Sequence, residues 1–207
     1  MLNDITVFDF ETSGLDPVND RVIEIAAIRI RDGQVVSEFS TLVRLTDREL
    51  SPKVTELTGI TPEMLAGGMD ETLAFKILRN LMGDSLLVAH NAAFDLQFLH
   101  WGMQRIGGKT FSNDFIDTLT IARDRFTYPH RLEDLCQRLG IALDGAHRAL
   151  NDVYACWKLL QTMHEQEPVD NWVNRLGYLR KYPPPVWVPA HAKVFPTDNR
   201  YEPKVVG

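Results

Sequence analysis

Cysteine is scarce in this chain: two in 207 residues, Cys136 and Cys156, each inside a helical pattern and neither in a Cys-x-x-Cys pair. That excludes a thiolate zinc site and a disulfide framework, and predicts two buried free thiols in a reducing compartment. No apolar run approaches the length of a membrane span. The first residues, Met-Leu-Asn-Asp, lack the basic region and apolar stretch of a signal peptide. The expectation is a soluble, cytoplasmic protein that does not enter a membrane. No Gly-rich phosphate loop and no serine or cysteine in a nucleophile elbow is present, which argues against nucleoside-triphosphate binding and covalent catalysis. Positive charge is also short: 22 Lys and Arg against 28 Asp and Glu, net −6. A broad nucleic-acid footprint usually needs basic excess. A small site in which metal ions supply the positive charge does not.

The remainder is an ordinary globular composition, long enough for one good-sized core. Residues 5–11, 21–31 and 34–44 read as strands, and Asp32-Gly33 joins the last two as an antiparallel hairpin. Helical signals follow: Ser51-Pro52 and Thr61-Pro62 open short helices, and Asp70 caps one to about Met82 with Leu73, Ile77, Leu78 and Leu81 on one side. Short strands are predicted at 85–90 and 115–117, with helices over 92–106, 118–126, 131–139 and 149–164. Strands interleaved with helices after a three-strand meander imply an α/β fold, a mixed sheet flanked by helices. The texture changes near residue 165. An amphipathic piece runs from Val169 to Leu179, and six of the eleven prolines lie at or beyond 183. The predicted division is 1–166 as the domain and 167–207 as a Pro-rich extension, which its Trp187, Val188, Phe195 and Tyr201 would dock on the domain or on a partner.

Three stretches carry chemistry. In Ile5-Thr-Val-Phe-Asp-Phe-Glu-Thr-Ser-Gly-Leu15, Asp9 and Glu11 lie two apart on a strand, so they face the same side with Cα atoms about 7 Å apart. Two like charges near a sheet core are unfavourable unless a cation lies between them; one buried carboxylate with an edge partner is the other account. In His90-Asn-Ala-Ala-Phe-Asp95, Asp95 falls where a strand gives way to a helix, at a carboxyl end of the sheet, either as a helix cap or as a ligand-binding group. Phe94 is a core ring or a stacking platform. In His147-Arg-Ala-Leu-Asn-Asp152, Asp152 opens a long amphipathic helix and His147 precedes it in a loop; both can face one site, or be a dipole-stabilising acid and a surface histidine. Asp117 is read as the cap of the helix starting at 118. Carboxylates without thiolates suit hard cations, Mg2+ or Mn2+.

The order and spacing of Phe8-Asp-Phe-Glu-Thr-Ser-Gly-Leu15, His90-Asn-Ala-Ala-Phe-Asp95 and His147-Arg-Ala-Leu-Asn-Asp152 resemble the three motifs of the DEDDh 3′–5′ exonucleases, the group similar to the epsilon proofreading subunit of bacterial DNA polymerase III. Leu57-Thr-Gly-Ile-Thr61 is similar to the family's loop between the first two motifs. The resemblance covers about residues 4–164 and implies a ribonuclease-H-like fold. It implies that Asp9, Glu11, Asp95 and Asp152 hold two divalent cations and that His147 is the general base. It also implies that Thr12, Leu15, Asn91 and Phe94 hold the strand end. Thr58 stands where the polymerase subunit often has histidine, which departs from the pattern.

The function implied is metal-dependent hydrolysis of terminal phosphodiesters of single-stranded DNA, releasing nucleoside 5′-monophosphates in proofreading or repair. The expected partners are single-stranded 3′ ends and a DNA polymerase or other replication or repair protein. The alternatives are an exoribonuclease of the same chemistry and a non-catalytic partner-binding module on the same fold.

Overall fold

The computed structural model describes residues 2–143 and 148–200. Three long strands open the chain: β1 (Asp4–Thr12), β2 (Val22–Arg31) and β3 (Gln34–Leu42). β1 pairs antiparallel with β2, and β2 with β3, which is the meander the Asp32-Gly33 turn predicts. Helices α1 (Pro52–Thr58), α2 (Pro62–Ala66) and α3 (Glu71–Met82) follow, then β4 (Leu86–Ala89), α4 (Ala92–Gly107), β5 (Phe115–Asp117), α5 (Thr118–Arg125), α6 (Leu132–Leu139) and α7 (Ala149–Gln166). β4 lies parallel to β1, and β5 parallel to β4, giving one five-stranded sheet in the order β3-β2-β1-β4-β5. This is the expected mixed sheet, three antiparallel strands and two parallel ones, flanked by helices.

Side-chain alternation sorts the core onto two faces. Phe8, Phe10, Ile25, Ala27, Leu87 and Phe115 meet α3 and α4 on one face. Ile5, Val7, Ala26, Ile28, Val88 and Ile116 meet α5, α6 and α7 on the other. Asp9 and Glu11 continue the row of Ile5 and Val7, so their positions belong to the α7 side of the sheet. Among the described residues no helix is long and apolar enough to cross a membrane, and Cys136 and Cys156 are buried free thiols.

Two expectations are corrected. The buried stripe of α3 is Ala74, Phe75, Leu78 and Met82, whereas Leu73 is 50% exposed. Phe75 and the small Ala74 turn the helix about its axis from the side an all-leucine count picks. The Val169–Leu179 piece is not one amphipathic element: a 3-10 turn at Asp170–Trp172 leads into a strand, β6 (Arg175–Leu179), parallel to β7 (Lys193–Thr197).

Residues after α7 lie against the sheet's β5 end and α4. Asn174 Oδ1 accepts from the Phe115 N–H (3.0 Å), and the Asn174 backbone N–H donates to the Phe115 carbonyl (2.8 Å). The Gly177 N–H donates to Thr120 Oγ1 (2.8 Å), and Arg123 donates to the Gly177 carbonyl (2.7 Å). Trp187 stacks on His100 with ring centroids 3.8 Å apart, and its N–H donates to Gln97 Oε1 (3.2 Å).

Gly102 shows how closely α3 and α4 pack. A Cβ placed on it would lie 2.3 Å from Phe75 Cζ. Gly102→Ala is therefore expected to destabilise the fold by about 1–3 kcal/mol, although alanine is the better helix former. Thermal unfolding of the variant checks the sign; a rise in Tm would mean that α3 yields freely.

Candidate active site

β1 carries Asp9 and Glu11 to the sheet's carboxyl-end rim, and α7 brings Asp152 over them. Each of the three offers a carboxylate oxygen within 4.8 Å of the other two. The register of β1 with β2 shifts between Glu11 and Thr12, a bulge at the point where the floor ends. Asp95, in the first turn of α4, is buried and accepts the Phe10 N–H at 3.2 Å, which ties it to β1 between the two floor carboxylates. His147 lies outside the described residues.

The electrostatics are strained in one direction. Burial, then the Asp152 and Glu24 carboxylates, push the Asp9 carboxyl up to about 8. Burial, then Asp9, Asp152 and Glu24, push Glu11 up to about 8, against a smaller opposing pull from Arg148. Burial and Asp9 raise Asp95 well above the usual carboxylate range. Left to themselves these groups hold protons near neutral pH. A divalent cation among them would remove both the crowding and the protons, so the donor set fits hard oxygen-seeking ions.

Glu24 is the site residue that sequence reading passed over, as one polar position in a β-branched strand. It stands directly opposite Glu11 in the β1–β2 register and is 2% exposed. Its carboxylate accepts from Arg148 Nη2 (3.0 Å) and Nε (3.3 Å) and from the Ala149 N–H (3.2 Å). It thereby anchors the start of α7, one turn before Asp152. The available signal was a glutamate at an inward position of an otherwise apolar strand, which requires a buried partner.

The second motif is built on Asp117. Its Oδ1 accepts from the N–H groups of Asn91, Ala92 and Leu119 at 3.0–3.1 Å, and its Oδ2 from the Thr120 N–H and hydroxyl. It caps α5 as anticipated and α4 as well. Asn91 sits in the left-handed region at φ 71°, which asparagine tolerates, and this turns the chain sharply into α4. His90 donates from Nε2 to the His130 carbonyl (3.0 Å), its Nδ1 lying 2.9 Å from Thr118 Oγ1; burial holds its pKa low.

These groups line a cleft of about 840 Å³ whose walls include Asp9, Glu11, Asp95, Asp152, Asn91 and Phe94. Phe94 leans on Phe98 at a centroid distance of 4.8 Å. Thr12, the last residue of β1, and Leu15, in the turn beyond it, lie outside that lining. Thr12 is buried, its hydroxyl donating to the Gly14 carbonyl (2.6 Å), and Leu15 is 84% exposed. The turn itself is tight: a Cβ on Gly14 would lie 2.2 Å from Asp20 Oδ2. Thr58 points inward, its hydroxyl donating to the Val54 carbonyl (2.9 Å) and accepting the Ile60 N–H (3.1 Å), while Leu57 beside it reaches the cleft.

Comparison with known proteins agrees with this geometry. A family model described as "Exonuclease" matches residues 6–160. The DNA polymerase III PolC-type of Oceanobacillus iheyensis is 41% identical over 169 residues, which is 78% of this chain and 12% of that protein. The PolC-type polymerase of Thermotoga maritima is 40% identical over 147 residues, 70% of this chain and 11% of that protein. The chain thus spans about a tenth of the length of these relatives. Among solved structures, exonuclease I superposes with a TM-score of 0.75 at 23% identity, covering 80% of this chain and 42% of that one. Exonuclease X in complex with 5′ overhanging duplex DNA superposes at 0.62 with 27% identity, covering 79% and 92%. The two superpositions share the ribonuclease-H-like arrangement of sheet and helices. With its three acidic motifs folded onto one cleft and the family match running from β1 into α7, the chain belongs to the exonuclease family.

Proposed function

We propose that the protein removes nucleotides from the 3′ end of single-stranded DNA, in proofreading or repair. The observation that carries this reading is the carboxylate triad of Asp9, Glu11 and Asp152 inside 4.8 Å, with Asp95 beside it in an open cleft. Asp9, Glu11, Asp95 and Asp152 would hold two divalent cations, Mg2+ or Mn2+. Such ions polarise a phosphodiester and make a water acidic near neutral pH. His147 is assigned the proton of the attacking water, a role suited to an imidazole, which ordinarily titrates near neutral pH. Asn91 and Phe94 would seat the last nucleotide, with Thr12 and Leu15 meeting it from beyond the floor. The products are nucleoside 5′-monophosphates.

The PolC-type relatives support DNA over RNA, a cytoplasmic setting and a replication polymerase as partner. The net charge of −6 favours an end-binding site over a long basic groove.

A 5′-labelled single strand incubated with Mg2+ or Mn2+ should yield a ladder that shortens from the 3′ end. A strand left intact with either metal would move the reading to a non-catalytic module on the same fold. RNA of the same sequence, run in parallel, separates deoxyribonuclease from exoribonuclease.

A further inference from the structure

We propose that the segment following α7 forms part of the substrate site, with Lys181 and Tyr182 holding the nucleic-acid strand upstream of its terminal nucleotide. This rests on the exonuclease reading above and extends it to residues beyond the family match, which ends at 160. The cleft floored by Asp9 and Glu11 is lined also by Leu179, Lys181 and Tyr182, which form a wall contributed by this segment, termed the far wall. The floor and this wall differ in charge. The floor is a cluster of carboxylates, suited to the scissile phosphate through cations. The far wall offers an exposed ammonium, with Lys181 Nζ over the Tyr182 ring at 5.0 Å from its centre, and Tyr182 is 57% exposed. An ammonium beside an open aromatic face is the pairing that binds single strands without regard to sequence, one group on a phosphate and the other under a base.

The wall is also fixed in place. Gly177, two residues before Leu179, is bonded through both its N–H and its carbonyl to Thr120 and Arg123 of α5. Thr120 is bonded in turn to Asp117, which caps the helix that carries Asp95. A chain of hydrogen bonds therefore sets the position of Lys181 and Tyr182 relative to the floor. Arg123, also at the cleft, spends a hydrogen bond on Gly177, so Lys181 is a more available cation for a phosphate.

The test compares two substrates that share the chemistry but differ in length: a single DNA strand, and the p-nitrophenyl ester of thymidine 5′-monophosphate, which cannot reach the far wall. For Tyr182→Ala, the loss of kcat/KM on the strand should exceed the loss on the ester about tenfold. Tyr182→Phe, which keeps the ring, should restore most of it. For Lys181→Ala, the slope of log kcat/KM against log salt on the strand should become shallower by about 0.7, the value of one released counterion on a single strand. Both side chains are exposed, so circular dichroism should be that of the wild type. Equal losses on the two substrates, or an unaltered salt slope, would overturn the assignment while wild-type cleavage of the strand leaves the exonuclease reading standing. A wild-type protein that cleaves neither substrate removes both readings together.

Discussion

Asp9→Asn should lower strand hydrolysis by about a hundred- to a thousandfold while leaving the metal-free protein at least as stable as the wild type. The two halves of this result have one cause. Asparagine keeps the size of aspartate but carries no charge, so a cation at the triad loses a ligand and the transition state loses part of its electrostatic support, worth about 10²–10³ in rate for a single well-placed group. In the absence of metal the ionised form is a burden, felt as pH rises toward about 8, because Asp9 is crowded by burial and by Asp152 and Glu24. Removing it relieves Glu11 and Asp95 as well, both of which feel the Asp9 charge. Kinetics on a labelled strand together with thermal unfolding in EDTA read both quantities. Activity within tenfold of wild type, or a clear fall in Tm, would show that Asp9 is a structural carboxylate.

The second large effect is a pH-dependent response to metal. In the folded, metal-free chain Asp9 and Glu11 keep their protons up to about pH 8, whereas unfolded they lose them near pH 4. Between those limits the folded state binds more protons, so its stability falls as pH rises. The contribution is complete below about pH 4 and gone above about pH 8. Both groups are partly exposed and interact with each other, so solvent screening reduces the total to about 2–4 kcal/mol, or roughly 5–15 °C in Tm for a chain of this length. Mn2+ or Mg2+ should act in the opposite sense, because a cation competes with those protons and binds the ionised form. The rise in Tm on adding metal should therefore be several-fold larger at about pH 8 than at about pH 5, and Asp9→Asn should flatten the metal-free slope. Calorimetry in EDTA and in Mn2+ at the two pH values measures both. A metal response equal at the two pH values would separate the cation site from these carboxylates.

Much of the sheet was legible because its signals are local. The Asp32-Gly33 turn dictates the hairpin, and period-two alternation puts Asp9 and Glu11 on one side with Ile5 and Val7. Asp117 was readable as a cap because a strand ends there and a helix begins at the next residue. What escaped depended on contacts between distant segments. Glu24 falls in the inward row of β2, but its partners are not legible until α7 is laid across the sheet, which brings Arg148 and Ala149 to its carboxylate. Leucine spacing selects Leu73 for the core of α3, but the side that meets the sheet carries the smaller Ala74. The strand character of Arg175–Leu179 requires a partner eighteen residues later, across a Pro-rich turn that hides the pairing. The approach of Lys181 and Tyr182 to the acidic cleft has no sequence signature, since it follows from hydrogen bonds between Gly177 and α5.

Asp117 has a consequence for how the molecule opens. Five donors from two helix starts converge on this single side chain, so neither α4 nor α5 can fray at its first turn without disturbing the other. The amides of Asn91, Ala92, Leu119 and Thr120 form one cooperative unit with a shared opening free energy. Asp95 lies within a turn of one end of that unit and the anchor of Gly177 at the other. Hydrogen exchange at these four amides is therefore expected to slow together when a strand is bound, and protection confined to one helix start would show that the two open independently.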